Sequence, residues 1–99
     1  MTETNRVTPL DFVGSSRDDL SEFPEEVKED LGYALFEVQQ GKRPGCVKPL
    51  KGFGGASVLE ILEDHRGNTY RAVYTVRFAE VIYVLHCFQK KARRGIETP

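Results

Sequence analysis

The sequence predicts an α+β domain in which two helices cover one face of a sheet, and three observations predict it. Within PEEVKEDLGYALFEVQQG (24–41), Val27, Leu31, Ala34, Leu35 and Val38 fall at helical spacing on one face. Three β-prone segments, 56–64, 69–78 and 80–88, follow one another through short connections. A further short apolar segment precedes the helices, which gives the order β-α-α-β-β-β.

Taken in order, RVTPLDFVG (6–14) reads as the first strand. Pro9 lacks an N–H and so suits a sheet edge or a strand start, and this strand is expected to pair at an edge. SSRDDLSEF (15–23) reads as a short helix. Ser15 or Ser16 is its expected cap, and Asp18 and Asp19 sit at the positive end of its dipole. Pro24 fits the start of the long helix, Glu25 and Glu26 its first turn, and Gly41 its end. Its acidic outer face reads first as a solvated surface, with docking of a partner's cations as the alternative. KRPGCVKPLKGFGG (42–55) reads as loop, and its GFGG as a flexible lead into the sheet, since no lysine–serine or lysine–threonine pair follows to make a phosphate loop. ASVLEILED (56–64) is β-prone but alternates poorly. HRGN (65–68) is a turn, TYRAVYTVRF (69–78) alternates well, and EVIYVLHCF (80–88) follows a tight connection at Ala79.

With 99 residues, 39% of them hydrophobic and 29% charged, the chain is expected to form one soluble domain over 1–99. No apolar run is long enough to span a bilayer, and MTETNR has no signal-peptide core, so cytoplasm is expected, with no membrane partner. Cys46 and Cys87 are then read as free thiols. The net charge of −1 conceals an asymmetry. Residues 1–41 carry three cations against ten acids, and residues 42–99 carry eleven against five. That split marks an interaction surface, because a polyanion responds to the local field rather than to the total.

The segment 42–56 carries Lys42, Arg43, Lys48 and Lys51 and no acid, and the candidate cations fall in three groups: Lys48 and Lys51 in the loop, Arg71 and Arg77 on one strand, and Lys90, Lys91, Arg93 and Arg94 at the chain's basic end. In 69–78, Tyr70, Ala72, Tyr74, Val76 and Phe78 face one way. Arg71, Val73, Thr75 and Arg77 face the other, with the two arginines roughly 20 Å apart. If the groups converge on the sheet face away from the helices, they form a polyanion site. Such a cluster neutralises phosphates. It can also assist attack of a 2′-hydroxyl on phosphorus: arginine holds the developing charge, and a lysine whose pKa is lowered by neighbouring cations acts as acid or base. Phe53 is the candidate base-stacking aromatic. His86 is the conventional acid–base candidate, although its strand parity with Ile82, Val84 and Phe88 predicts a structural histidine; His65 reads as solvated. No His/Cys/Asp/Glu grouping has metal-ligand spacing, so no metal and no cofactor are expected.

Four stretches, FPEEVKEDLGYALFEVQQG, KPLKGFGG, VLEILEDHRGNTYRAVYTVRF and IYVLHCFQKKARRGIETP, cover most of the chain. Together they resemble the RelE/HigB/ParE superfamily of type II toxin–antitoxin toxins, in its phage-derived HigB-like branch. The resemblance implies two N-terminal helices on a small curved antiparallel sheet. It implies a metal-independent mRNA endoribonuclease that often acts on ribosome-bound message and is blocked by an antitoxin, usually of the helix-turn-helix type. Arg71 in YRAVY is similar to the strand arginine that contacts the scissile phosphate. Lys48 and Lys51 are similar to loop lysines on the RNA, and Lys90 and Lys91 to the basic pair closing the last strand; Arg77 is carried on parity alone. The alternatives are a ParE-like gyrase poison, or a catalytically inactive module that only binds its antitoxin.

Overall fold

A computed structural model describes residues 7–50, 58–76 and 80–90. The elements are β1 (Leu10–Phe12), α1 (Ser16–Ser21), α2 (Glu25–Gln39), β2 (Val47–Pro49), β3 (Val58–His65), β4 (Asn68–Thr75) and β5 (Ile82–Lys90). They build a five-stranded sheet in the order β1-β5-β4-β3-β2.

The α+β class and the position of the helices before the meander are as the sequence predicts, but the sheet differs in two respects. It is mixed rather than antiparallel, because β1 runs parallel to β5. It also has a strand more than expected: β2 lies inside the segment read as loop and pairs antiparallel with β3. β1 lies at the sheet edge as expected and, like β2, is three residues long; a segment as short as β2 has no period to reveal it. Pro9 stands just before β1, where no ladder donor is required of it, and its carbonyl accepts the Ile82 N–H at 2.9 Å.

The helices are anchored by specific polar contacts. Ser15 is the N-cap of α1, yet its hydroxyl donates to the Asp19 carboxylate rather than capping a backbone N–H. Ser16 is buried, and its hydroxyl donates across to the Val84 carbonyl on β5 at 3.1 Å. The C-terminus of α2 closes as a Schellman motif. Gly41 takes φ +84°, its N–H donates to Val38, and the Lys42 N–H donates to Glu37. Only glycine holds that conformation without Cβ strain, so Gly41 ends the helix as expected.

Val27, Leu31, Ala34, Leu35 and Val38 of α2 pack on Ile61, Tyr70, Ala72, Tyr74, Ile82, Val84 and Cys87. The alternation read in 69–78 therefore holds through β4: Tyr70, Ala72 and Tyr74 lie under the helices, and Arg71, Val73 and Thr75 lie on the opposite face. The β3–β4 connection is a two-residue turn with positive φ at Arg66 (52°) and Gly67 (83°), a geometry that matches the twist of the strands it joins.

A β-bulge in β5 alters one expectation. Val73 pairs with His86, but Tyr74 pairs with Val84, so Leu85 is the extra residue. Parity resets there. Val84 and Cys87 both face the core, and His86 turns outward and is exposed. His86 is thus not the buried structural histidine that parity with Ile82 and Val84 predicts. His65 departs from expectation in the other sense: its side chain is largely buried, with Nδ1 3.5 Å from Glu26 of α2 and its ring edge-on to Tyr70.

Candidate functional site

The sheet face away from the helices carries the candidate groups, and strand register sets their spacing. One cross-strand row runs Lys48–Glu60–Val73–His86, the next Leu62–Arg71–Phe88, and the next Asp64–Thr69–Lys90. Lys48 from β2, Arg71 from β4 and Lys90 from β5 thus share one face. Arg71 and Lys90 are about 8 Å apart at Cα, and Lys48 and Lys90 about 20 Å, by strand spacing and rise. Lys48 and Lys90 are exposed. Lys51, Phe53, Arg77, Lys91, Arg93 and Arg94 lie outside the described residues.

Arg71 is not an unengaged cation. Its Nη1 donates to both carboxylate oxygens of Glu60, at 3.0 and 3.2 Å, from the neighbouring strand. The Glu60 side chain is 3% exposed and that of Arg71 20%. Arg71 Nε is buried and has no hydrogen-bond partner among the described residues. A buried carboxylate has to be paired, and the diagonal cross-strand position brings the two side chains within reach. The pair fixes the guanidinium against the sheet and offsets its charge.

Glu60 is the residue that sequence reasoning missed. Its signal was present: a lone acid between apolar neighbours in VLEIL, on a strand that must pair with the arginine-bearing one. The outward ring of His86 stacks on Phe88, with centroids 4.8 Å apart and planes at 28°. Imidazole and phenyl thus lie beside Arg71 and Lys90 on the same face.

The described cations of the basic run 42–51, Lys42, Arg43 and Lys48, do not form one patch. Lys42 and Arg43 line a cleft of about 340 Å³ on the helix side, together with Val38, Leu59, Tyr74 and Ile82. Lys48 faces the other way. In that cleft burial pushes the Tyr74 phenol above its ordinary pKa, opposed by the nearby Arg43 charge. Also on the helix side, Glu63 is pushed up to about 7, first by burial and then by its hydrogen bond to Asp30 and the charges of Asp30 and Asp64. Burial raises the Cys87 thiol to about 11, and Cys46 is an exposed free thiol. No group of three metal-ligating side chains occurs among the described residues. No helix among them is long and apolar enough to cross a membrane.

The model of the family described as phage-derived protein Gp49-like (DUF891) matches residues 18–99. Among solved structures, a chain of the toxin–antitoxin complex RelBE2 from Mycobacterium tuberculosis shares the fold with a TM-score of 0.60. The identity is 16%, and the match covers 91% of this chain and 99% of that one. No curated protein matches the chain.

Proposed function

The chain belongs to the phage-derived Gp49-like family, and from that premise we propose that it is the toxin of a toxin–antitoxin pair and acts as a metal-independent endoribonuclease on mRNA. The observation that carries the nuclease reading is the placement of Lys48, Arg71 and Lys90, from three strands, on one sheet face about 20 Å across. The likeness in fold to a chain of a toxin–antitoxin complex supports an antitoxin partner, and the HigB-like resemblance suggests a helix-turn-helix antitoxin, ribosome-bound message and a cytoplasmic setting.

In this reading phosphates of the message lie along the row of cations. Arg71, held in place by Glu60, presents its guanidinium to the scissile phosphate, and Lys48, Lys51 and Lys91 supply charge and the proton relay. Lys90, Arg77, Arg93 and Arg94 hold flanking phosphates, and Phe53 stacks a base. His86, exposed beside Arg71, is within the face as an acid or base.

The test is expression in a bacterial host with mapping of RNA 5′ ends. The parent chain is expected to arrest growth and produce new ends within coding sequence. Lys48→Ala, an exposed position, is expected to leave the fold intact and reduce cleavage at least tenfold. New ends at the parental rate in that variant would remove Lys48 from the site, and no new ends from the parent would end the nuclease reading. A second reading, an inactive antitoxin-binding module or a gyrase poison, is favoured by the Glu60–Arg71 pair, which offsets the charge of the largely buried Arg71. It predicts intact RNA, with DNA-damage signalling in the gyrase case and no arrest in the inactive one.

A further inference from the structure

The face of α2 turned to solvent is unlike a plain hydrated surface. Tyr33 is 65% exposed and Phe36 43%. They stand three residues apart, hence side by side on the helix. Glu29 and Glu37 stand one turn from Tyr33 on the same helix, Glu25 and Glu26 lie nearer its start, and residues 16–39 hold eight acids against two cations. One of those cations, Lys28, is paired with Glu25 at 3.3 Å.

Between the aromatics and the acids sits Gly32, in the middle of the helix. A glycine there weakens the helix relative to alanine. Nothing among the described residues asks for it, because a Cβ at Gly32 would meet none of their atoms within 4 Å. The position is exposed and leaves a notch beside the two rings, where a second backbone can approach closely.

We infer that this face of α2 docks the antitoxin through a helix that carries apolar side chains flanked by lysines and arginines. Charge complementarity selects that occupant: the field of this face repels RNA and anionic lipid alike and attracts a cationic protein segment. Tyr33 and Phe36 supply the desolvated anchors such an interface needs, and Gly32 lets the partner helix pack against them. The inference rests on the reading above that the chain has an antitoxin. It also separates inhibition from the candidate RNA face, since α2 lies across the sheet from Arg71.

The test uses the full chain and, as probe, the protein encoded by the adjoining reading frame, with affinity measured by calorimetry and salt dependence by stopped-flow. Tyr33→Ser with Phe36→Ser is expected to keep the parental circular dichroism and growth arrest while affinity falls roughly 30-fold or more. Gly32→Leu improves helix propensity and fills the notch. It is expected to melt at or above the parental temperature and still bind at least tenfold more weakly. Glu29→Gln with Glu37→Gln is expected to slow association and flatten its salt dependence. Parental affinity in both the serine and the leucine variants, with the parent complex formed, would overturn the docking face and leave the toxin reading standing. No complex with the parent chain would overturn both.

Discussion

Replacing Glu60 tests the tie at the centre of the candidate site. Glu60→Ala removes both contacts to Arg71 Nη1, at 3.0 and 3.2 Å, and leaves a guanidinium whose Nε is already without a described partner. Breaking a buried ion pair from one side costs about 3–5 kcal/mol. The Arg71 side chain is 20% exposed, so water reaches part of it and the lower end applies, about 3 kcal/mol. For a domain of this size that corresponds to a fall in Tm of roughly 15 °C. Removing both charges is different: Glu60→Leu with Arg71→Met is expected to lie close to the parent, since two buried ions are exchanged for packed apolar groups. With about 3 kcal/mol lost in each single variant and little in the double one, urea denaturation of the parent, Glu60→Leu, Arg71→Met and the double variant gives a coupling of about 6 kcal/mol. A loss below about 1 kcal/mol in Glu60→Ala, or no coupling in the cycle, would refute the pair as an anchor. Glu60→Gln adds a functional arm. In the nuclease reading it removes the charge that offsets the guanidinium already facing the phosphate, so RNA binding is expected to tighten.

Three further outcomes follow from the same geometry. Gly32→Ala is expected to stabilise the free chain by about 0.5–1 kcal/mol in urea denaturation, because the added Cβ meets open space in a helix interior. Stability is expected to decline as pH rises from about 4.5 through about 7, since Glu63 binds its proton more tightly folded than unfolded and that contribution is complete only at the acid end. Glu63→Gln should flatten that slope in a pH series of thermal melts. Under native conditions Cys46 is expected to react with a thiol reagent within minutes, and Cys87, buried and with its thiol at about 11, only on unfolding; release of two thiols per chain before unfolding would contradict the burial of Cys87.

What was legible in the sequence were features carried by long or strongly signalled segments. The α2 stripe from Val27 to Val38, the Gly41 stop and the alternation of Tyr70, Ala72 and Tyr74 all emerge because their period is that of the element itself. Three-residue β1 and β2 carry no period, so neither the parallel pairing nor the extra strand was visible. His86 was misplaced because one unpaired residue, Leu85, moves every side chain after it to the opposite face. For the candidate site, the shared face of Lys48, Arg71 and Lys90 was an expectation that register supports. The division of Lys42 and Arg43 from Lys48 was not foreseen, because neighbours in a loop need not share a face.

The sequence by itself determined the class of fold, the order and buried faces of the principal helix and strands, and the separation of acidic and basic halves. These follow from local periodicity and composition, which each segment carries wherever it is placed. Tertiary structure alone decided that Glu60 meets Arg71 eleven residues away, that His86 turns outward onto Phe88, and that two exposed rings and a glycine notch stand together on an acidic helix. Each depends on strand register, a bulge or the surroundings of a side chain, and those are set when distant segments pack together.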